Sequence, residues 1–280
     1  MLQATDIATR AADLLTQAAT QLRPDIRAAL EVALTGERNE RARAVLTALL
    51  ENDEIARRDN VPLCQDTGTT WIRLELAAGE WVEGDLQAAC DAACAAASQR
   101  AGLRNSLVFD AYSDRCNTQT NTPVFIDIVQ TDADCTHLHV MLKGAGSDNA
   151  SRIVMLDPDA NDDDIATAVL AAVEEKASMA CPPLIIGLGI GGTFDTVGKL
   201  SKRALLRPLT DVPSDPQVAL LQERLLAAVN ATGIGPAALG GDTTALAVQI
   251  QTAPCHIAAK PLAINLCCNA LRSQTISFSA

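Results

Sequence analysis

From residue 5 to residue 58, apolar positions recur every three to four residues, with alanine and leucine on one side and charges on the other. That spacing predicts helices over 5–34 and 38–58, broken near Pro24 and Gly36. The period then changes. "TTWIRLELAAGEWV" reads as a strand and a turn, and "GDLQAACDAACAAASQRAG" as a small-residue helix with Asp85 at its N-cap. "TPVFIDIVQ" and "THLHVMLKG" alternate apolar with polar, which predicts two half-buried strands lying antiparallel to each other. "NDDDIATAVLAAVEEKASMA" is a helix with acids in its first turn, where they favour the dipole. "PLIIGLGIGG" predicts an apolar strand, followed by the helix "TVGKLSKRALL" and another over 215–231. "TTALAVQIQT" and "AKPLAINL" complete the strands. No period repeats and no linker divides the chain. The pattern therefore predicts a single α+β domain over 1–280, helix-rich around small mixed or antiparallel sheets, with a helical N-terminal section over 1–60.

Composition narrows the class. A chain of 280 residues, 48% hydrophobic and 20% charged, has the balance of a soluble globular protein. With aromatics at 2%, its core must be built mainly from Ala, Leu, Ile and Val. The 22 basic and 34 acidic residues leave a net charge of −12, a field that disfavours nucleic acid and anionic membranes as partners. An anionic substrate then needs a few placed arginines or lysines. The chain has no apolar run of membrane-spanning length, and its start reads as an amphipathic helix, so a cytoplasmic location is expected. Nine cysteines, an odd number without an export signal, argue for reduced thiols rather than a disulfide framework. There is no CxxC pair, so metal ligands would have to converge from distant segments.

The individual motifs separate into packing and chemistry. Cys90 and Cys94 share a helix face among alanines and read as core, and Cys116 and Cys135 are given the same reading. His137 and His139 share a strand face; a hydrogen-bonded or solvent-facing pair is expected there rather than a metal site. "GLGIGG" contains G-x-G-x-x-G, but Asp211 follows a helix and a proline-bounded turn, not the second strand that a dinucleotide site requires. A glycine turn admitting backbone to a cluster or substrate fits better. Cys64, Cys181 and Cys268 instead stand at element boundaries, and three thiolates suit a soft centre such as an iron–sulfur cluster.

"CQDTGT", "KGAGSDN", "ACPPLIIGLGIGGT", "GIGPAALGGDTTALAV" and "CHIAAKPLAINLCCNALR", in this order from about residue 60 to 272, together resemble the alpha part of the class I fumarases. That oxygen-sensitive hydro-lyase family includes the L-tartrate dehydratase alpha subunit. The resemblance implies a [4Fe–4S] cluster with ligands Cys64, Cys181 and Cys268. Cys255 and Cys267 compete for the third place, but Arg272 follows Cys268 at the family's spacing. It implies further that Gln65, Arg104 and Gly144 contact substrate, and that Asp66 and His256 serve the reacting centre. One departure is visible: Ala145 stands where the family has the middle of three glycines.

The function implied is reversible hydration of fumarate to L-malate, a tricarboxylic acid cycle step, with the open cluster iron as Lewis acid. "KGAGSDN" and "RCNTQTNTP" look fumarase-like; L-tartrate or another hydroxy-dicarboxylate is the alternative substrate. A non-catalytic iron–sulfur redox sensor is the rival from another class. Single-chain members of the family carry a further swivelling C-terminal domain with more substrate-binding groups. This sequence ends at "SQTISFSA", so that domain is expected on a separate beta subunit, with paired alpha chains inside a hetero-oligomer.

Overall fold

A computed structural model describes residues 1–279. In chain order the first elements are β1 (Leu2–Gln3), α1 (Ala4–Thr20), α2 (Pro24–Gly36), α3 (Glu40–Asp59), β2 (Thr69–Leu76), β3 (Val82–Glu83), α4 (Leu86–Arg100), β4 (Phe125–Gln130) and β5 (Thr136–Lys143). There follow α5 (Ala145–Asn149), β6 (Arg152–Leu156), α6 (Asp162–Lys176), β7 (Leu184–Gly192), α7 (Val197–Leu206), α8 (Pro216–Ala231), β8 (Ala245–Cys255), β9 (Lys260–Cys267) and β10 (Ser273–Phe278). A 3-10 turn, Ala177–Ala180, closes α6. The class is α+β, as the pattern predicts.

The helix ends carry their expected chemistry. Pro24 opens α2, and Asp85 caps α4 by accepting from the Ala88 amide at 3.0 Å. Asn161 and Asp164 form a reciprocal capping box on α6. Asp215 caps α8, with Pro216 in the first turn where its missing N–H costs nothing.

Where the pattern predicts one domain, the chain forms two compact units. The first comprises Met1–Arg23, Asn52–Ala145 and Arg272–Ala280; the second comprises Pro24–Glu51 and Gly146–Leu271. The N-terminal helical section is shared out, with α1 in the first unit and α2 in the second.

The first unit holds a four-stranded sheet in the order β10-β5-β2-β4. β4 and β5 are therefore not neighbours. β2 lies between them, parallel to β4 and antiparallel to β5. The reason is burial: β2 is covered along nearly its whole length, which suits a central strand, whereas β4 alternates and leaves Phe125 and Ile128 exposed, which suits an edge. Ile72, Leu74, Leu138 and Val140 pack against α1 and α4, whose facing residues are mostly alanines with Cys90 and Cys94. Small side chains let these two helices approach closely, which is how a core almost without aromatics fills. On the other face, register aligns Asp127, Arg73, His139 and Thr275 in one row.

The second unit holds the order β6-β9-β7-β8. β7 is a near-continuous buried run, with Leu184, Ile186 and Leu188 in a core shared with α6 and α8. Its alternate residues include Gly187 and Gly189, and α7 packs against β7. A Cβ at Gly187 would lie 2.4 Å from the Ser201 carbonyl oxygen, and one at Gly189 would lie 2.5 Å from that of Val197. The G-x-G pattern is thus neither a nucleotide turn nor a turn beside a cluster. It is a groove within a strand that admits the backbone of a helix.

Candidate active site

Three strands of the first unit begin or end at one edge of their sheet. Thr69, opening β2, pairs with Lys143, closing β5, and Ser273, opening β10, pairs with Met141. The loops that leave these ends carry the "CQDTG" and "KGAG" motifs and Arg272. Leu63 fixes the approach: its amide donates to the Ala19 carbonyl at 2.8 Å, and its own carbonyl accepts from Asn52 Nδ2 at 2.9 Å. Cys64 and Gln65 follow, both exposed.

The two turns interlock through glycines. Gly68 has φ +75°, and a Cβ there would meet the Lys143 carbonyl oxygen at 2.2 Å and the Gly144 nitrogen at 2.6 Å. A Cβ on Gly144 would meet Asp66 Oδ2 at 2.9 Å and Arg272 Nη2 at 3.4 Å. Asp66 Oδ2 accepts from the Ala145 amide at 2.9 Å. Ala145 itself is exposed and is not among the positive-φ residues, so a methyl fits where the family's middle glycine stands. Its two flanking glycines are the constrained ones; in the second unit, a Cβ on Gly146 would lie 2.6 Å from the Met179 carbonyl oxygen.

Arg104 Nη2 stands 4.0 Å from Asp66 Oδ1, with 61% of its side chain exposed. A pair this open contributes little stability, about 0–1 kcal/mol, and leaves the guanidinium available to a ligand. Its backbone is better held. The buried Asn121 donates through Nδ2 to the Arg104 carbonyl at 3.2 Å and accepts from the Ser106 amide at 2.6 Å. Asn117 Nδ2 donates to the Asn105 carbonyl at 2.9 Å. These asparagines belong to "RCNTQTNTP", so that segment supports Arg104, a role the sequence pattern did not reveal.

In the second unit, Cys181 follows the 3-10 turn with φ 55°, a left-handed helix end before a proline. Its carbonyl accepts from the Asn269 amide at 3.3 Å and from Asn269 Nδ2 at 2.8 Å. Asn269 thereby joins the start of β7 to the end of β9, and Cys268 precedes it. The competing cysteines lie elsewhere. Cys267 is buried within β9, opposite Ile185. Cys255 pairs with Gly192 at the other end of β7, roughly 25 Å away by strand rise. His256 sits beside Cys255 in the exposed β8–β9 turn, accepting from the Ala258 amide at 3.1 Å. It is not brought to the end of the sheet where Cys181 and Cys268 lie.

The remaining cysteines and histidines sort by environment. Burial pushes the Cys90 thiol up to about 11 and the Cys94 thiol up to about 12, so both stay protonated core groups. Cys116 is exposed and Cys135 half-buried, so the core expectation fails for both; each lies in a polar loop. Cys135 Sγ approaches His137 Nε2 at 3.6 Å. His137 and His139 hydrogen-bond Ser277 and Thr275, at 2.7 and 2.8 Å, as a bonded pair should. Among the described residues, no group of three or more His, Cys, Asp or Glu side chains is gathered as a metal site. A reduced cysteine thiol is by its chemistry a donor for a soft metal centre. Cys64 and Cys181 are exposed, Cys268 is half-buried, and none is in a disulfide. No described helix is long and apolar enough to cross a membrane.

Residues 8–277 match the family model described as fumarate hydratase (fumerase). A chain from Methanocaldococcus jannaschii named "Putative L(+)-tartrate dehydratase subunit alpha" is 35% identical over 264 residues, covering 91% of this chain and 92% of that one. The L(+)-tartrate dehydratase subunit alpha of Escherichia coli (strain K12) is 29% identical over 260 residues, covering 92% and 86%.

Proposed function

The chain belongs to the fumarate hydratase family, and from that premise we propose that it is the alpha subunit of a [4Fe–4S] hydro-lyase acting on four-carbon dicarboxylates. Fumarate and L-malate are the first substrates of this reading. The observation that carries it is the gathering of Asp66, Gly144 and Arg104 at one sheet end, beside Cys64. A polar, open site that couples an acidic side chain to a loosely held arginine suits a reaction on an anion.

In this reading Cys64, Cys181 and Cys268 hold the cluster, which when bound supplies an iron lacking a thiolate as Lewis acid for the hydroxyl. The remaining work falls to side chains. Arg104 takes a substrate carboxylate, having only a long contact to Asp66 to give up. Gly144 offers substrate its backbone in this reading, and its lack of a Cβ leaves room for the Asp66 carboxylate at the same turn. Gln65, exposed next to Cys64, offers an amide to the same anion. The proton to be removed lies on carbon next to a carboxylate, a poor acid, so cations must stabilise the charge that develops there. Asp66 orients the reacting centre through a carboxylate fixed by the Ala145 amide. His256 keeps its place in this reading from the family motif alone. A chain of net charge −12 neutralises two carboxylates poorly, so the reading includes a beta subunit that completes the cationic clamp.

The relatives' names favour a second reading, dehydration of L-tartrate. Anaerobic reconstitution of the chain with iron and sulfide, together with its beta subunit, separates the two. Turnover is then followed with fumarate, L-malate and L-tartrate. Faster turnover of fumarate and malate supports the first reading, and preference for tartrate supports the second. A reconstituted cluster that cycles between redox states without hydrating or dehydrating any of the three would overturn both.

A further inference from the structure

Arg272 follows Cys268 by four residues and opens onto β10. In the first unit it is a buried cation, 3% exposed, and its Nε has no hydrogen-bond partner. A buried guanidinium N–H without an acceptor is costly to keep, and such groups in native proteins call for an explanation. No carboxylate forms an ion pair with Arg272 among the described residues.

Its placement supplies the explanation. The Arg272 carbonyl accepts from the Leu142 amide at 2.8 Å, which ties its backbone to the end of strand β5. Nη2 lies 3.4 Å, and Asp66 Oδ2 2.9 Å, from the one point where a Gly144 Cβ would stand. The guanidinium and the Asp66 carboxylate thus both border the space beside the Gly144 α-carbon. A shift of the guanidinium would release the glycine, and with it the Ala145 amide that holds Asp66.

We propose that Arg272 is a positioning residue, whose buried guanidinium holds the Gly144 turn and the Asp66 carboxylate in the pose used for turnover. It does not itself touch substrate, because it is covered. The inference rests on the hydro-lyase reading above and adds to it a residue that acts through two others.

The test uses the reconstituted alpha–beta enzyme carrying Arg272→Gln or Arg272→Lys. Four quantities are read: kcat, KM, the Kd of succinate as an unreactive dicarboxylate, and the thermal midpoint. For Arg272→Gln, kcat falls roughly tenfold to a hundredfold, as expected when a reacting group is misplaced by about an ångström. The succinate Kd and the thermal midpoint stay near the parent values. Arg272→Lys, which keeps the charge but not the forked donors, recovers only part of the rate. Parent kcat in Arg272→Gln, or in a folded Arg272→Lys where the glutamine variant does not fold, overturns the proposal. A succinate Kd that rises as far as kcat/KM falls overturns it too, since Arg272 would then grip substrate directly. Loss of the fold in both variants makes the residue structural and counts against it. A parent enzyme that turns over none of fumarate, L-malate and L-tartrate defeats the hydro-lyase reading instead, which keeps the two failures distinct.

Discussion

The two units build the same sheet from different materials. In the first, β2 runs parallel to the edge strand β4 and antiparallel to β5, which pairs with β10. In the second, β7 runs parallel to the edge strand β8 and antiparallel to β9, which pairs with β6. Helix α4 links the parallel pair in one unit, and α7 and α8 link it in the other. The candidate residues also occupy equivalent places. Cys64 precedes β2 as Cys181 precedes β7, and Gly144 follows β5 as Cys268 follows β9. What differs is how each end is fastened. The first uses glycine contacts and charge, through Gly68, Gly144, Asp66 and Arg272. The second uses one asparagine with two donors on a single carbonyl. One topology thus presents Asp66, Arg104 and Arg272 together with Cys64 in one unit, and Cys181 with Cys268 in the other.

The largest expected effect falls on the sulfur donors. Cys181→Ser and Cys268→Ser should each lose most of the iron after anaerobic reconstitution, and Cys64→Ser likewise, since a hydroxyl is a poor ligand for a soft centre. Cys255→Ser and Cys267→Ser should keep it. Full iron content in Cys268→Ser, with loss in Cys255→Ser, would break the equivalence between the two sheet ends.

Next come the glycines that seat backbone against backbone. Gly68→Ala and Gly187→Ala should each destabilise the chain by at least about 1–3 kcal/mol in denaturant titration, because the neighbouring carbonyls stand too close for a methyl. Only Gly68→Ala should also depress turnover, since its neighbour is the Lys143–Gly144 turn. Equal loss of turnover in folded Gly187→Ala would show that the packing groove serves the reaction as well.

Asn269→Ala tests the fastening of the second end. Loss of two hydrogen bonds to the Cys181 carbonyl should cost about 1–2 kcal/mol and speed iron release to a chelator severalfold. Iron release at the parent rate would mean that Cys181 is held by the strand alone.

The smallest effect concerns Cys94. With its thiol raised to about 12 by burial, it should resist iodoacetamide at pH 8 in the folded chain, while exposed Cys255 is alkylated. Mass spectrometry of the digested protein reads this directly. Rapid labelling of Cys94 would show that the α1–α4 core opens readily.

Helix positions were legible because they depend on neighbours in sequence, and Asp85 caps α4 as its side chain predicts. The position of β4 was not legible, because strand order depends on which strand needs covering on both faces. The candidate motifs could be read as boundary cysteines and glycine turns, yet their supports could not. Asn121 and Asn269 act 17 and 88 residues away from the groups they hold. In isolation each is an ordinary loop asparagine.

By itself the sequence determined the α+β class, the helix positions, the mainly aliphatic core and the family motifs, since each is carried by local spacing or by residue identity. Tertiary structure decided the rest: the division into two units, β2 at the centre of its sheet, and the purpose of "GLGIGG". It also decided that Cys268 rather than Cys255 shares a sheet end with Cys181. It turned Arg272 from a marker into a buried cation behind Gly144. These depend on which backbones approach within van der Waals contact, and a one-dimensional pattern of residue types carries no such distance.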